Sequence, residues 1–202
     1  MFSKGIEAKY SIKTKGIKIG ALVWQFEEVG NNYKTSIYLK DEGMLSGIYS
    51  FTGEYHVVGK KINKTLVPKS YTQVWKTKNK YREVKMVFEN FKIKNLKLSP
   101  VEKEIPRIEY KNLTGYSDPI SSFLNILLNQ LPSHTIDGRR VYLLLPTDNK
   151  NKLKILISEY RNIWADHKRN DLEYLEIFSS NSILPEKIKI MFKGSMFYLT
   201  KI

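Results

Sequence analysis

Ser117-Asp118-Pro119-Ile120-Ser121-Ser122-Phe123-Leu124-Asn125-Ile126-Leu127-Leu128-Asn129-Gln130-Leu131 is the stretch from which the fold can be argued. Asp118-Pro119 is a helix start. An aspartate carboxylate accepts from the orphan amides of a first turn, and proline at the first helical position gives up no needed donor. The helix then runs to about Gln130, so residues 119–131 form one element. Projected at 100° per residue, Ser121, Ser122, Asn125 and Asn129 share an arc of roughly 100°. Ile120, Phe123, Leu124, Ile126, Leu127, Leu128 and Leu131 occupy most of the remainder, so the helix must be covered on nearly every side. Ordering its backbone costs roughly 12 to 24 kcal/mol. Burying seven large apolar side chains returns roughly 10 to 20 kcal/mol. The helix is therefore stable only when pressed into a concave apolar partner.

That partner must be built of strands, because the rest of the chain repeats with a period of two. In residues 7–15, Ala8, Tyr10, Ile12 and Thr14 alternate with Lys9, Ser11, Lys13 and Lys15. Residues 17–29 return after a turn at Gly16 and are apolar on both faces, with Ile19, Ala21 and Val23 against Leu22, Trp24 and Phe26. Further strands are expected at 33–40, 48–58, 70–76, 81–89 and 91–98, with Gly53 a place for a bend and Pro68 preceding the fifth. Short connections make residues 7–98 an antiparallel meander. Residues 99–118, with Pro100 and Pro106, form a crossing loop. Strand signals resume within 137–202, at 139–145, 152–160, 171–178, 187–192 and 195–199. The expected fold is a single domain, mainly β, over 1–202. Its long curved antiparallel sheet of about 11–12 strands makes an open or half β-barrel, with the short helix packed on the concave side.

Composition narrows the function classes. The chain has 202 residues and a net charge of +14, from 28 Lys and 6 Arg against 20 acids. Such a field attracts polyanions or an anionic envelope surface. Lysine-rich composition with so few arginines, the better fork for phosphate, argues against specific nucleic-acid recognition. There is no cysteine, which excludes disulfides, thiol nucleophiles and cysteine-bound metals. No run reaches the ~18 apolar residues of a membrane-spanning helix, and residues 1–7 hold no apolar stretch of the length a secretion signal requires, so the protein is expected either to be cytoplasmic or to have had a signal removed ahead of this numbering. His56, His134 and His167 lack metal-ligand spacing and read as ordinary surface or turn residues. There is no nucleophile elbow, phosphate loop or dinucleotide fingerprint, and nothing selects a pair of acids for hydrolytic work. No cofactor and no catalytic or metal-binding residue is expected.

The residues also resemble a bacterial family, the domain of unknown function 3108 (DUF3108). Tyr10, Gly16 and Gly20 resemble its opening hairpin, and Gly47 and Gly59 sit in the expected strand region. Leu66-x-Pro68-x-x-Tyr71, Arg82-x-Val84 and Phe88 resemble its middle. The best-matched parts are Ser117-Asp118-Pro119-Ile120-Ser121-Ser122 and Asp137-Gly138-Arg139-Arg140-Val141-Tyr142, and Ile183-Leu184-Pro185-x-Lys187-Ile188 resembles the final hairpin. The resemblance implies a usually exported, periplasmic protein with no established activity. It also implies an architecture similar to the open half-barrel and helical lid of periplasmic lipoprotein carriers. The absence of a signal segment departs from this pattern, and the family does not require the basic charge.

The expected function is a non-enzymatic binding or carrier module, a monomer, for a lipid or other amphipathic small molecule. Phe123, Leu124, Leu127, Leu128 and Trp24 would form a cavity or its lid. Side chains filling that space instead would favour a scaffolding protein of envelope assembly, working through sheet edges. Asp137-Gly138 is first a tight turn. Arg139 or Arg140 is expected either to pair with Asp118 or another carboxylate, fastening the helix start, or to meet an anionic group. Trp24, Trp75, Trp164 and the tyrosines are expected in the core, as strand residues usually are.

Overall fold

The computed structural model describes residues 4–43, 50–149, 152–165, 169–178 and 182–202. Seven strands come first: β1 (Lys4–Thr14), β2 (Ile17–Val29), β3 (Asn32–Asp41), β4 (Phe51–Ile62), β5 (Thr65–Thr77), β6 (Lys80–Glu89) and β7 (Lys92–Ser99). The helix α1 (Pro119–Asn129) follows, then β8 (Ser133–Ile136), β9 (Arg140–Asn149), β10 (Lys152–Asn162), β11 (Leu172–Phe178), β12 (Lys187–Phe192) and β13 (Ser195–Lys201). All thirteen join one antiparallel sheet in the order β7-β6-β5-β4-β3-β2-β1-β13-β12-β11-β10-β9-β8. The mainly β fold with one helix stands as expected, with one strand more. The addition is β8, which follows Pro132 and is only four residues long, too short for an alternation to stand out. The expected start of the fourth strand at Ile48 lies outside the described residues, as do Gly47 and His167.

The period of two decides which side of the sheet is core. Ala8, Tyr10 and Ile12 of β1, Leu22, Trp24 and Phe26 of β2, Tyr33 of β3, and Val84, Met86 and Phe88 of β6 belong to one buried cluster. Ala21 and Val23 are half-buried, so β2 is fully covered on one face rather than two. From the other half, Val141, Leu144, Ile155, Ile177, Ile188 and Leu199 join the same cluster, together with Ile120, Phe123, Leu124 and Ile126 of α1. One core shared by both ends of the sheet and by the helix requires the sheet to curl around α1.

Proline inside β5 is tolerated because of its position. Gly59 opposes Pro68 where the β4–β5 register shifts, and a bulge there asks for no amide hydrogen from residue 68. The neighbour is necessarily glycine, since a Cβ at Gly59 would overlap the Val67 carbonyl and the Tyr33 ring.

The crossing segment is more ordered than its composition suggested. It carries a 3-10 turn at Tyr110–Asn112. Thr114 bridges Lys92 of β7, and the Gly115 amide donates to the Phe91 carbonyl at 2.9 Å. Three residues on, Ser117 lies parallel to Thr135 of β8, donating to His134 at 3.0 Å and accepting from Ile136 at 2.9 Å. Residues 114–117 thus touch both outer strands and latch the seam of a barrel that the strands themselves leave open.

Candidate functional site

The helix start is built as its sequence predicts. Asp118 is the N-cap, accepting from the Ile120 and Ser121 amides at 3.0 Å each, and Gln130 closes the other end in a left-handed conformation. Burial raises the Asp118 carboxyl to about 6, against the hydrogen bonds that favour its charged form.

The seating of α1 differs from the expectation. Ser121 and Ser122, assigned to the polar arc, are completely buried, whereas Leu128 is 40% exposed and Leu131 65%. The cause lies in the hydrogen-bonding partners. β5 outlasts its pairing with β6, which begins at Ser70, so the backbone at Leu66 has a free side. Asn125 fills it, accepting from the Leu66 amide at 2.7 Å and donating to the Leu66 carbonyl at 2.9 Å. The Ser121 hydroxyl meets the Tyr33 hydroxyl at 2.7 Å. The helix therefore turns part of its polar side inward to satisfy a strand edge, and that rotation leaves Leu128 in solvent.

Of the proposed cavity residues, Trp24, Phe123 and Leu124 are buried, Leu127 is half-buried and Leu128 is exposed. The Trp24 and Phe123 rings lie 5.7 Å apart, and the Trp24 indole donates to Thr35 Oγ1 at 2.9 Å. These side chains pack against one another as core.

An open groove runs beside the helix at the latched seam, with a volume of about 230 Å³. Its walls are Leu66, Val67 and Pro68 of β5, Phe88 and Phe91, and Leu131 just past the helix; Asn125, Asn129 and His134 supply polar atoms. Phe91 is 53% exposed. Sequence reading missed this groove because no single segment forms it.

Asp137-Gly138-Arg139-Arg140 closes on itself. Asp137 accepts from the Arg139 and Arg140 amides at 2.9 and 2.8 Å, and its second oxygen takes Arg140 Nη1 at 3.0 Å. Gly138 has φ +89°, and a Cβ there would run into Val84, so the turn needs glycine twice over. Arg139 reaches Glu102 at 2.9 Å and the Pro100 carbonyl at 2.8 Å. Neither arginine's ion pair is with Asp118; both carboxylates they meet belong to the turn itself or to the crossing segment. Tyr142 and Tyr160 pack edge to face behind the turn, 5.3 Å apart, and burial drives both hydroxyls above their ordinary range. Among the described residues no cluster of His, Asp or Glu could hold a metal ion, and no helix is long and apolar enough to cross a membrane.

Residues 9–158, which hold the helix start, the Asp137 turn and the bulge at Gly59, match the family model described as "Protein of unknown function (DUF3108)". The chain belongs to the DUF3108 family. Among solved structures, the fold is similar to that of a beta-barrel-like protein of domain of unknown function DUF1849 from Brucella abortus. The TM-score is 0.60 at 9% identity, with 97% of this chain and 95% of that chain covered. At that identity the likeness concerns fold alone. No curated protein matches the chain. In this DUF3108 member the final hairpin motif falls beyond the matched span, yet it is tied to its opening: the Tyr10 hydroxyl donates to the Pro185 carbonyl at 2.8 Å.

Proposed function

We propose that this DUF3108 protein is a non-enzymatic, monomeric binding module of the cell envelope, in the periplasm, that holds an amphipathic ligand in the seam groove. The observation that carries the reading is the division of the helix surroundings. Phe123, Leu124 and Ile126 are locked into the core, while the neighbouring groove is open, walled by apolar side chains and fringed by exposed Phe91 and Leu131. Apolar walls with a few polar atoms suit a chain with a polar end, and the groove takes a ligand without disturbing the packing beneath the helix. The alternative, a scaffold that pairs through its sheet edges, has less support, because residues 114–117 occupy part of both edges.

Native mass spectrometry of protein purified from its own host, with organic extraction, is the test. An adduct of several hundred daltons is expected on the wild type and should vanish in a Phe91→Asp/Leu131→Asp double variant that melts normally. A bare mass in both proteins would overturn the reading. Fractionation of host cells checks the periplasmic assignment, and size-exclusion chromatography checks the monomer.

A further inference from the structure

A second concavity shares no residue with the seam groove and has the opposite character. It is a cleft of about 530 Å³ to which both halves of the chain contribute: Trp75, Lys80 and Arg82 from β5 and β6, Arg139 and Arg140 from the Asp137 turn, Arg169 ahead of β11, and Phe192 and Lys193 from β12 and its turn. Four of the six arginines in the chain line it. In a protein whose cations are overwhelmingly lysine, that concentration is not explained by composition.

Part of the charge is neutralised internally. Arg139 meets Glu102 at 2.9 Å, Arg140 meets Asp137 at 3.0 Å, and Arg169 grips Asp171 through two bonds of 3.1 and 2.6 Å. Glu102 and Asp171 are the acids of the lining, and these pairs engage both. Lys80, Arg82 and Lys193 have no carboxylate partner among the described residues, Lys193 Nζ lying instead 5.7 Å from the centre of the Phe192 ring. Burial holds the Arg139 guanidinium below its ordinary value; the Glu102 carboxylate works against this and the neighbouring Arg82 charge with it. An assembly that holds like charges together in a cleft is stabilised when an anion enters. Donors converging from separate elements surround a tetrahedral, multiply charged group better than a flat carboxylate, which one guanidinium fork would satisfy. The cleft is also larger than a phosphate ion needs. Trp75, stacked on Phe51 at 5.6 Å, and Phe192 offer apolar faces within it.

We propose that this cleft binds a phosphate-bearing organic ligand. Arg82, Lys80 and Lys193 hold the phosphate, and Trp75 and Phe192 take the apolar portion. The site is independent of the seam groove.

The full-length protein is titrated with phenyl phosphate, with inorganic phosphate, and with phosphatidylcholine vesicles containing phosphatidylglycerol. Three proteins are compared: the wild type, a Lys80→Ala/Arg82→Ala/Lys193→Ala triple, and a control triple, Lys60→Ala/Lys69→Ala/Lys97→Ala, that removes equal charge from exposed strand positions. All six positions are exposed, so both triples should melt near the wild type. Binding at least tenfold weaker in the cleft triple, with the control within twofold of wild type, is the expected result. Loss confined to phenyl phosphate identifies a soluble organic phosphate, and loss confined to the vesicles a lipid phosphate; either supports the site. No saturable binding of any probe at millimolar concentration, or equal weakening by the two triples, would overturn it. The Phe91→Asp/Leu131→Asp variant should bind these probes like wild type, which separates this result from that of the groove.

Discussion

Asp118 is buried beside the first turn of α1 with one oxygen satisfied by two amides and the other, Oδ2, without a hydrogen-bond partner among the described residues. Its carboxyl titrates near 6 in the fold, where an unfolded aspartate titrates near 3.8. Between those values the folded chain holds a proton that the unfolded chain has released, so this residue lowers stability as pH rises from about 4 to about 6. Asp118→Asn keeps a capping oxygen and removes the charge. Relative to wild type it should be more stable at pH 7 to 8, by up to about 2 kcal/mol, with the advantage disappearing below pH 4. Denaturant midpoints across that range would show it, and a pH-independent difference would contradict the account. The same scale governs Arg139, whose bonds to Glu102 and the Pro100 carbonyl tie down the crossing segment. Arg139→Ala should cost about 1 to 3 kcal/mol, seen as a lower melting temperature, and an unchanged melt would refute a structural role. The capping role of Asp118 was legible in Asp118-Pro119. The partners of the arginines were not, because a turn that folds its own aspartate onto its own amides leaves no trace in spacing beyond Asp-Gly.

At the scale of elements, the contact between α1 and β5 decides how the helix is turned. Asn125 stands in for a missing strand at Leu66. Asn125→Ala leaves both backbone groups unpaired and should cost about 1 to 3 kcal/mol. Leu128→Glu should change stability by no more than about 0.5 kcal/mol, because Leu128 is 40% exposed. Leu124→Ala, at a fully buried site, should cost about 2 to 5 kcal/mol. A helix positioned by apolar burial alone would show Leu128 and Leu124 equally sensitive. The wheel located the helix and its need for cover, but hydrophobicity treats serine and asparagine as outward residues and cannot see a strand edge waiting for an amide. The period of two starts β5 only after Pro68 for a related reason. The glycine that makes room for that proline is nine residues away, on the partner strand.

Over the whole molecule, the alternation of Tyr10, Leu22, Trp24, Met86 and their neighbours was enough to read a curled antiparallel sheet, since a period of two declares which face is buried. What it could not declare was which strands lie at the rim. The first strand, β1, is central, paired with β2 on one side and with β13 on the other through Tyr10 to Lys201 and Thr14 to Phe197. Both halves thus share one core, so the intact protein should melt in one cooperative transition, and a chain ending after Phe192 should lose that transition rather than retain a stable meander over residues 7–98. Calorimetry of the truncated chain checks this, and a surviving transition at the original temperature would contradict it.

The pairing of β1 with β13 also orders events in time. β1 precedes β13 by most of the sheet, and the bond from the Thr14 hydroxyl to the Met196 carbonyl spans 182 positions. Until they pair, β1 offers an unsatisfied ladder to any passing strand, and closing so long a loop is slow compared with zipping the hairpins. During folding the vulnerable edge of this protein is therefore in its middle, and a chain that has not yet docked β13 is the species most prone to pair with its own copies.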